Sequence, residues 1–151
     1  MDTFVDVRRR RAVRGREYAF ANSQRLQARL TELGIRYVHR LDLAPPAAAR
    51  EQQAAADKAA GIARRKRTAL GQAFVAAYER DVLAGFDPHA FMADLPPGAA
   101  VVALRCVERE PAACHRALLA ERLRQALGVE VVHLRPEKTR DETTDFTDYA
   151  D

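Results

Sequence analysis

The segment 101–116, VVALRCVEREPAACHR, constrains the fold of this chain most, because three different local structures follow one another in it. Its apolar beginning is typical of a β-strand and ends at Cys106. An acidic turn containing proline follows, and the triplet Cys114, His115 and Arg116 then begins a stretch with helical periodicity. The segment therefore predicts a strand, a turn and a helix, which are the components of an α/β fold.

The rest of the chain repeats this alternation of strands and helices. The predicted strands are Thr3–Val7, Ile35–Val38, Ala99–Arg105 and Val129–Leu134. Helices are predicted from Ser23 to Gly34, from Ala47 to Gly61, from Thr68 to Leu83, from Pro88 with Asp87 as its cap, and from Pro111 to Leu127 with Gly128 ending it, while residues 8–22 form a loop. We expect a single α/β domain over residues 1–138, with a mostly parallel sheet of about four strands flanked by helices, and a long helical insertion between the second and third strands.

Composition limits the compartment and the partners. No apolar run approaches the roughly 18 residues of a membrane span, and the beginning is not a secretory signal, so no membrane partner is expected. The two cysteines, one of which stands beside a histidine and an arginine, suit a reducing cytoplasm better than a disulfide framework. Residues 139–151 are acidic with little apolar content and are expected to form a flexible tail.

Ionisable residues that are distant in sequence are expected to meet at one edge of the sheet. The carboxyl ends of parallel strands share an edge, where open α/β sheets bind ligands and where helix amino ends attract anions. The residues expected there are Asp6 and Arg8 after the first strand, His39 after the second, Cys106 and Glu108 after the third, and Cys114, His115 and Arg116 at the helix start. We expect a pocket for a small phosphate- or carboxylate-bearing ligand.

Cys114 and His115 are the catalytic candidates in this pocket. A cysteine in the first turn of a helix can have a lowered pKa and act as a nucleophile, and His115 can orient or deprotonate a ligand. Arg8 and Arg116 would clamp the anion, with Asp6 fixing an arginine. The alternatives are a thiol that only packs, a capping histidine and an arginine in a salt bridge. Six residues after Cys106 stands Ala112, so the chain lacks the Cys-x5-Arg phosphate loop of tyrosine phosphatases.

A zinc site can be drawn from Cys106, Cys114, His115 and His39. Adjacent cysteine and histidine residues seldom point at one metal ion, and the spacing matches none of the usual paired ligand patterns. We therefore predict no metal site.

Two basic clusters give a competing hypothesis from another functional class. The first is Arg8, Arg9, Arg10 and Arg11, continued by Arg14 and Arg16, and the second is Arg64, Arg65, Lys66 and Arg67. They could follow a phosphate backbone, in which case the chain is a non-catalytic nucleic-acid-binding module. If the side chains of the two clusters point at the Cys-His-Arg edge, a pocket for a small ligand is favoured. If they form a separate flat face, nucleic-acid binding is favoured.

The residues of segment 106–120 resemble the C-terminal motif of the bacterial domain-of-unknown-function 488 family. Further resemblance lies in Asp6-Val7-Arg8, in the segment GIRYVH at 34–39 and in the segment LAP at 43–45, so it runs from about Val5 to about Pro136. The family name assigns no activity, and the resemblance implies the fold and the site rather than a reaction.

The resemblance also implies a further strand and helix ahead of Asp6, where this chain has five residues. Without that unit, Thr3–Val7 is expected to be an exposed edge strand or to border a gap. Unpaired backbone groups of that kind invite association, so we expect the chain to dimerise or to be unusually labile.

Overall fold

The centre of the fold is a three-stranded parallel sheet in the order β2-β1-β3, where β1 is Thr3–Asp6, β2 is Arg36–His39 and β3 is Val102–Arg105. This architecture comes from a computed structural model that describes residues 1–13 and 15–135. Asp6 aligns with His39 on one side and with Arg105 on the other. The three strands therefore end level with one another, and the residues that follow them gather at one edge.

Five α-helices surround the sheet in the described part of the chain. They are α1 (Ser23–Glu32), α2 (Ala47–Ala59), α3 (Gln72–Asp81), α4 (Pro88–Ala93) and α5 (His115–Leu127). The predicted single α/β domain with a mostly parallel sheet and a helical insertion between the second and third strands is confirmed, because α2, α3 and α4 all lie between β2 and β3. None of these helices has the length and apolar composition that crossing a lipid bilayer requires.

The core lies between the sheet and the helices of this insertion. Its fully buried side chains include Val5 and Val7 from the first strand segment, Tyr78 from α3, Phe91 from α4 and Leu119 from α5. The Tyr78 hydroxyl donates a hydrogen bond of 2.8 Å to the carbonyl oxygen of Leu43, so this buried polar group has a partner. Packing thus attaches the insertion to the sheet, and the hydrogen bond joins α3 to the turn that follows β2.

Two expectations about secondary structure are wrong. Val129–Leu134 is not a strand: the chain leaves α5 at Gly128, which adopts the left-handed conformation (φ 65°), and residues 129–135 pair with none of the described strands. The side chains of Val132 and Leu134 are 68% and 74% exposed, and β-propensity without a surface to pack against does not make a strand. Residues 16–21, predicted as loop, form a 3₁₀ turn.

The expected exposure of Thr3–Val7 is also wrong, because β1 is the central strand and pairs on both sides. The physical reason for expecting dimerisation through that edge is therefore removed, and dimerisation itself stays a prediction. The tail predicted at 139–151 lies outside the described residues.

The predicted cap of α4 provides a test of the local structure. The Asp87 Oδ1 atom accepts hydrogen bonds from the backbone N–H groups of His89 (2.9 Å) and Ala90 (3.1 Å). Asp87→Ala should lower the free energy of unfolding by about 1 kcal/mol, because two helix N–H groups lose their acceptor. Asp87→Asn keeps a side-chain oxygen and should cost less. Urea denaturation measures both, and equal losses would contradict the capping role.

Candidate functional site

Cys106, Cys114 and His115 meet at the edge where β3 ends and α5 begins; we call them the cysteine–histidine cluster. The Nδ1 atom of His115 lies 3.8 Å from the Cys106 sulfur and 3.9 Å from the Cys114 sulfur. All three residues are buried, and both cysteines are free thiols. The side chains of the adjacent residues Cys114 and His115 can meet because their backbone conformations differ. Cys114 is extended (φ −134°, ψ 136°), whereas His115 is the first helical residue.

The imidazole of His115 has a fixed orientation. Its Nε2–H group donates to the carbonyl oxygen of Val7 at 3.3 Å, and its ring meets the Tyr78 ring edge-on with centroids 5.4 Å apart. In the neutral ring a proton on Nε2 leaves the Nδ1 lone pair facing both sulfur atoms. The Nδ1 atom can therefore accept a hydrogen bond from either thiol.

The electrostatics of the two thiols differ from the expectation for Cys114. The pKa of Cys106 is lowered well below its ordinary value of 9.0, because hydrogen bonds from Cys114 and His115 outweigh the effect of burial. The pKa of Cys114 is raised, since its hydrogen bond to Cys106 and its burial both favour the neutral thiol. The expected lowering at the helix start is overridden, and Cys106 is the thiol that ionises first.

The cysteine–histidine cluster lies at the floor of a cavity of about 740 Å³. The remaining lining comes from the loop after β1, from residues 45–74, which include α2 and the beginning of α3, and from residues 107–113 between β3 and α5. Its basic lining residues are Arg8, Arg9, Arg10, Arg50, Lys58, Arg64 and Arg67, and its acidic ones are Glu51, Asp57 and Glu108. The cavity thus carries more positive than negative side chains.

Two arginines of this cavity keep unpaired hydrogen-bond donors. The Nε atoms of Arg50 and Arg67 are buried and have no hydrogen-bond partner among the described residues. Arg67 has ion pairs with Asp57 at 3.5 Å and with Glu108 at 3.6 Å. The side chain of Arg50 has no recorded partner in the described part of the chain. Its guanidinium group is therefore available to a ligand.

The sequence analysis assigned no site residue to α2, although residues of this helix line the cavity. Gln53 and Asp57 are buried at four-residue spacing from Ala49, on one face of this helix. Gln53 donates to Asp57 Oδ1 at 2.7 Å and accepts from the backbone N–H of Gly71 at 2.8 Å. Polar residues that recur at the spacing of a helix face were the signal that this face does more than pack.

Asp6 and Arg8 form a buried ion pair instead of leaving Arg8 free to clamp an anion. The carboxylate of Asp6 accepts from Arg8 Nε (2.8 Å), Arg8 Nη2 (2.7 Å) and the Tyr37 hydroxyl (2.8 Å). The remaining Arg8 Nη1 donates to the carbonyl oxygen of Ala21 at 2.9 Å. Asp6 is placed as predicted, to fix an arginine, but that arginine is part of the scaffold.

His39 and Arg116 also bind backbone groups around the site. His39 Nε2 lies 2.9 Å from the carbonyl oxygen of Arg8, and neither His39 nor Arg116 lines the cavity. Arg116 donates to the carbonyl oxygens of Glu108 at 2.8 Å and of Arg109 at 3.3 Å. Arg116 therefore fixes the loop after β3, and this geometry differs from the anion clamp that the sequence suggested.

The predicted basic clusters divide between two places. Arg9, Arg10, Arg64 and Arg67 line the cavity, and Arg64 donates to Glu108 Oε1 at 3.0 Å. Arg11 lies in a second groove and donates to the Tyr37 hydroxyl at 3.5 Å, and Lys66 is exposed outside the cavity. Arg14 and the side chain of Arg65 lie outside the described residues.

The comparison with protein families agrees with the resemblance noted in the sequence. The family model described as Domain of unknown function DUF488 matches residues 1–123. This range includes all three strands and the complete cysteine–histidine cluster. No curated protein and no solved structure matches the chain.

The buried ion pair gives the stability of the chain a defined pH dependence. Burial alone would raise the pKa of Asp6, but hydrogen bonds from Arg8 and Tyr37 and the charge of Arg8 lower it below its ordinary value of 3.8. The pair therefore stabilises the folded state above about pH 4 and loses this contribution as the pH falls through the folded pKa. Asp6→Asn should cost about 3–5 kcal/mol at neutral pH, because the charge of Arg8 stays buried without its partner.

Urea denaturation between about pH 7 and pH 3 tests both statements. The wild-type unfolding free energy should fall more steeply below about pH 4 than that of Asp6→Asn. Asp81→Asn is the matched control, because Asp81 pairs with an arginine, Arg80, whose side chain is 70% exposed. An equal loss of stability in the two variants would show that burial of the Asp6–Arg8 pair has no special importance.

Proposed function

This chain belongs to the DUF488 family, and on that premise we propose that it is an enzyme-like protein that binds a small phosphate- or carboxylate-bearing ligand in the arginine-lined cavity. The ligand would lie against the cysteine–histidine cluster, in a reducing cytoplasm that suits two free thiols. The observation that carries the proposal is the group of arginines around the cluster, above all Arg50 with its buried, unpaired Nε.

The unpaired donors support an anionic ligand for an energetic reason. A buried donor without an acceptor costs about 1–3 kcal/mol, and native proteins contain few of them. The Nε atoms of Arg50 and Arg67 are two such donors in one cavity. Phosphate and carboxylate oxygens match the planar geometry of a guanidinium group and would satisfy these donors.

The size of the cavity supports a small molecule. At about 740 Å³ it lies within the range of roughly 300–1,000 Å³ that is usual for ligand pockets. Apolar side chains such as Ile62, Leu70 and Phe74 contribute to its lining, so the non-ionic part of a ligand would also find contacts. A mixed lining with a few convergent charged groups is typical of such sites.

The chemical step in this proposal belongs to the cysteine–histidine cluster. His115 Nδ1 faces both sulfur atoms and would accept or return a proton, while Cys106 or Cys114 would present sulfur to the bound ligand. Asp6, Arg8, His39 and Arg116 would act as positioning residues, because they hold the loops that carry the reactive groups.

The placement of the arginines favours this proposal over the nucleic-acid-binding alternative. Arg9, Arg10, Arg64 and Arg67 surround a concave space instead of forming a flat or linear face. A cavity of about 740 Å³ suits a single nucleotide better than a duplex backbone. The alternative would therefore depend more on basic residues outside the cavity.

A ligand screen by thermal shift tests the proposed function. The probes are inorganic phosphate, sugar phosphates, nucleotides, dicarboxylates and a short DNA duplex. A ligand at 100 times its Kd should stabilise the folded state by about 2.7 kcal/mol. Arg50→Gln should weaken binding of the best probe about tenfold or more, because a charge-assisted hydrogen bond contributes roughly 1.5–3 kcal/mol.

The matched control is Arg80→Gln, which removes an exposed arginine outside the cavity and should leave the affinity unchanged. Equal affinities for wild type and Arg50→Gln would contradict the clamp. Stabilisation by the DNA duplex together with no response to the small anions would favour the nucleic-acid-binding alternative instead.

A further inference from the structure

We propose that Cys106, Cys114 and His115 form a binding site for one thiophilic divalent metal ion of the Zn²⁺ class, with a fourth coordination position open to the cavity. This proposal replaces the expectation of no metal site that the sequence alone produced. It goes beyond the anion pocket of the proposed function, because it depends on the ligand atoms of the cluster and not on the arginines around it. With a metal ion bound, Nδ1 of His115 and the two sulfur atoms would act as ligands in place of the proton transfer and sulfur chemistry proposed above.

The ligand atoms already stand near the separations that zinc requires. The two sulfur atoms and Nδ1 all lie within 4.8 Å of one another, and the two sulfur-to-nitrogen distances are 3.8 Å and 3.9 Å. In a tetrahedral site with Zn–S near 2.3 Å and Zn–N near 2.0 Å, sulfur and nitrogen stand about 3.5 Å apart and the two sulfur atoms about 3.8 Å apart. A movement of a few tenths of an ångström would bring each sulfur to this distance from Nδ1, and the sulfur atoms, which lie within 4.8 Å of each other, would approach by at most about 1 Å.

The hydrogen bond on the far side of the imidazole favours metal coordination. Histidine ligands usually donate their other ring N–H to a carboxylate or a carbonyl oxygen, which fixes the tautomer and the direction of the lone pair. His115 has this arrangement, since its Nε2–H group donates to the carbonyl oxygen of Val7. The Nδ1 lone pair is thereby held toward Cys106 and Cys114 before any metal binds.

The charge of the ligand set suits its surroundings. Two thiolates cancel the charge of a divalent cation, so the resulting centre is neutral. A site made only of neutral imidazole ligands would leave both positive charges of the metal ion uncompensated. The nearby arginines would repel such a centre; they are Arg9, Arg10, Arg50 and Arg67. Thiolate ligands are also those that select zinc over magnesium or calcium.

The coordination would remain open on the cavity side. All three ligands line the cavity, and no further histidine, cysteine or carboxylate joins them within ligand distance among the described residues. His39, the fourth residue considered from the sequence, instead lies with its Nε2 atom 2.9 Å from the carbonyl oxygen of Arg8. Three protein ligands and one open position are typical of catalytic zinc sites, where water or substrate completes the shell.

Cobalt titration of the reduced chain tests this proposal. Co²⁺ replaces Zn²⁺ in such sites and reports sulfur ligands by thiolate-to-metal charge-transfer absorption in the near ultraviolet. We expect one Co²⁺ per chain, with the absorption of two thiolates, and displacement by Zn²⁺. Cys106→Ser and Cys114→Ser should each remove the absorption of one thiolate and weaken binding on the order of 100-fold.

His133→Gln is the matched control, because His133 is exposed on the segment after α5 and should leave binding unchanged. Wild-type chain with zinc bound should also give X-ray absorption distances near 2.3 Å to sulfur and near 2.0 Å to nitrogen, a measurement that needs no variant to fold. Failure of the reduced wild type to bind Co²⁺ or Zn²⁺, or a cobalt spectrum without sulfur charge transfer, would overturn the proposal.

The proposed function can fail or succeed separately. Arg50→Gln should bind Co²⁺ like wild type while losing affinity for inorganic phosphate, since Arg50 is not a metal ligand. A chain that binds Co²⁺ through both thiolates but ignores all small anions would keep the metal site and remove the anion pocket. Phosphate binding without any metal binding would keep the anion pocket and remove the metal site.

Discussion

The buried carboxylate of Asp6 is the interaction on which the arrangement of the other parts depends. Desolvating this charge is costly, and the folded chain compensates by directing hydrogen bonds to it from the Arg8 guanidinium, the Arg8 backbone N–H and the Tyr37 hydroxyl. Arg8 then reaches the carbonyl oxygen of Ala21. One ion pair thus fixes the end of β1, the beginning of β2 and the turn that precedes α1. It also fixes the peptide of Val7, whose carbonyl oxygen orients His115.

The site consists of two parts with different origins in the chain. The floor comes from the ends of β1 and β3 and from the start of α5, and it holds the cysteine–histidine cluster. Much of the remaining lining comes from residues 45–74, within the helical insertion between β2 and β3. Gln53 connects α2 to the residue before α3 through its hydrogen bonds with Asp57 and Gly71. The cysteine–histidine cluster and most of the basic lining residues are therefore supplied by separate stretches of sequence.

The sequence was sufficient for the parts of the structure that follow from periodicity and topology. Parallel strands with level ends place the residues after them at one edge, which is why Asp6, Cys106, Cys114 and His115 could be grouped without coordinates. Every residue has a backbone carbonyl group, so the sequence does not indicate which carbonyl oxygen a side chain will bind. The hydrogen bonds that Arg116 donates to two carbonyl oxygens could therefore not be predicted. The pKa values of Cys106 and Cys114 depend on distances of a few ångströms between their sulfur atoms and His115, which residue spacing in the sequence does not specify. Val129–Leu134 has strand-like composition, but whether a strand forms depends on a partner that sequence does not specify.

The unequal charge of the cavity lining has a consequence for how this protein folds. Arginines and a lysine that face a shared space repel one another, and Glu51, Asp57 and Glu108 offset only part of that repulsion. This repulsion lowers the stability of the insertion relative to one with a neutral cavity lining. Segment 47–67 should be the part of the described chain in which local opening is most frequent, since few of its residues are buried and several of its charges repel. Under the proposed anion binding, anion concentration would control the lifetime of this folded segment as well as the occupancy of the cavity.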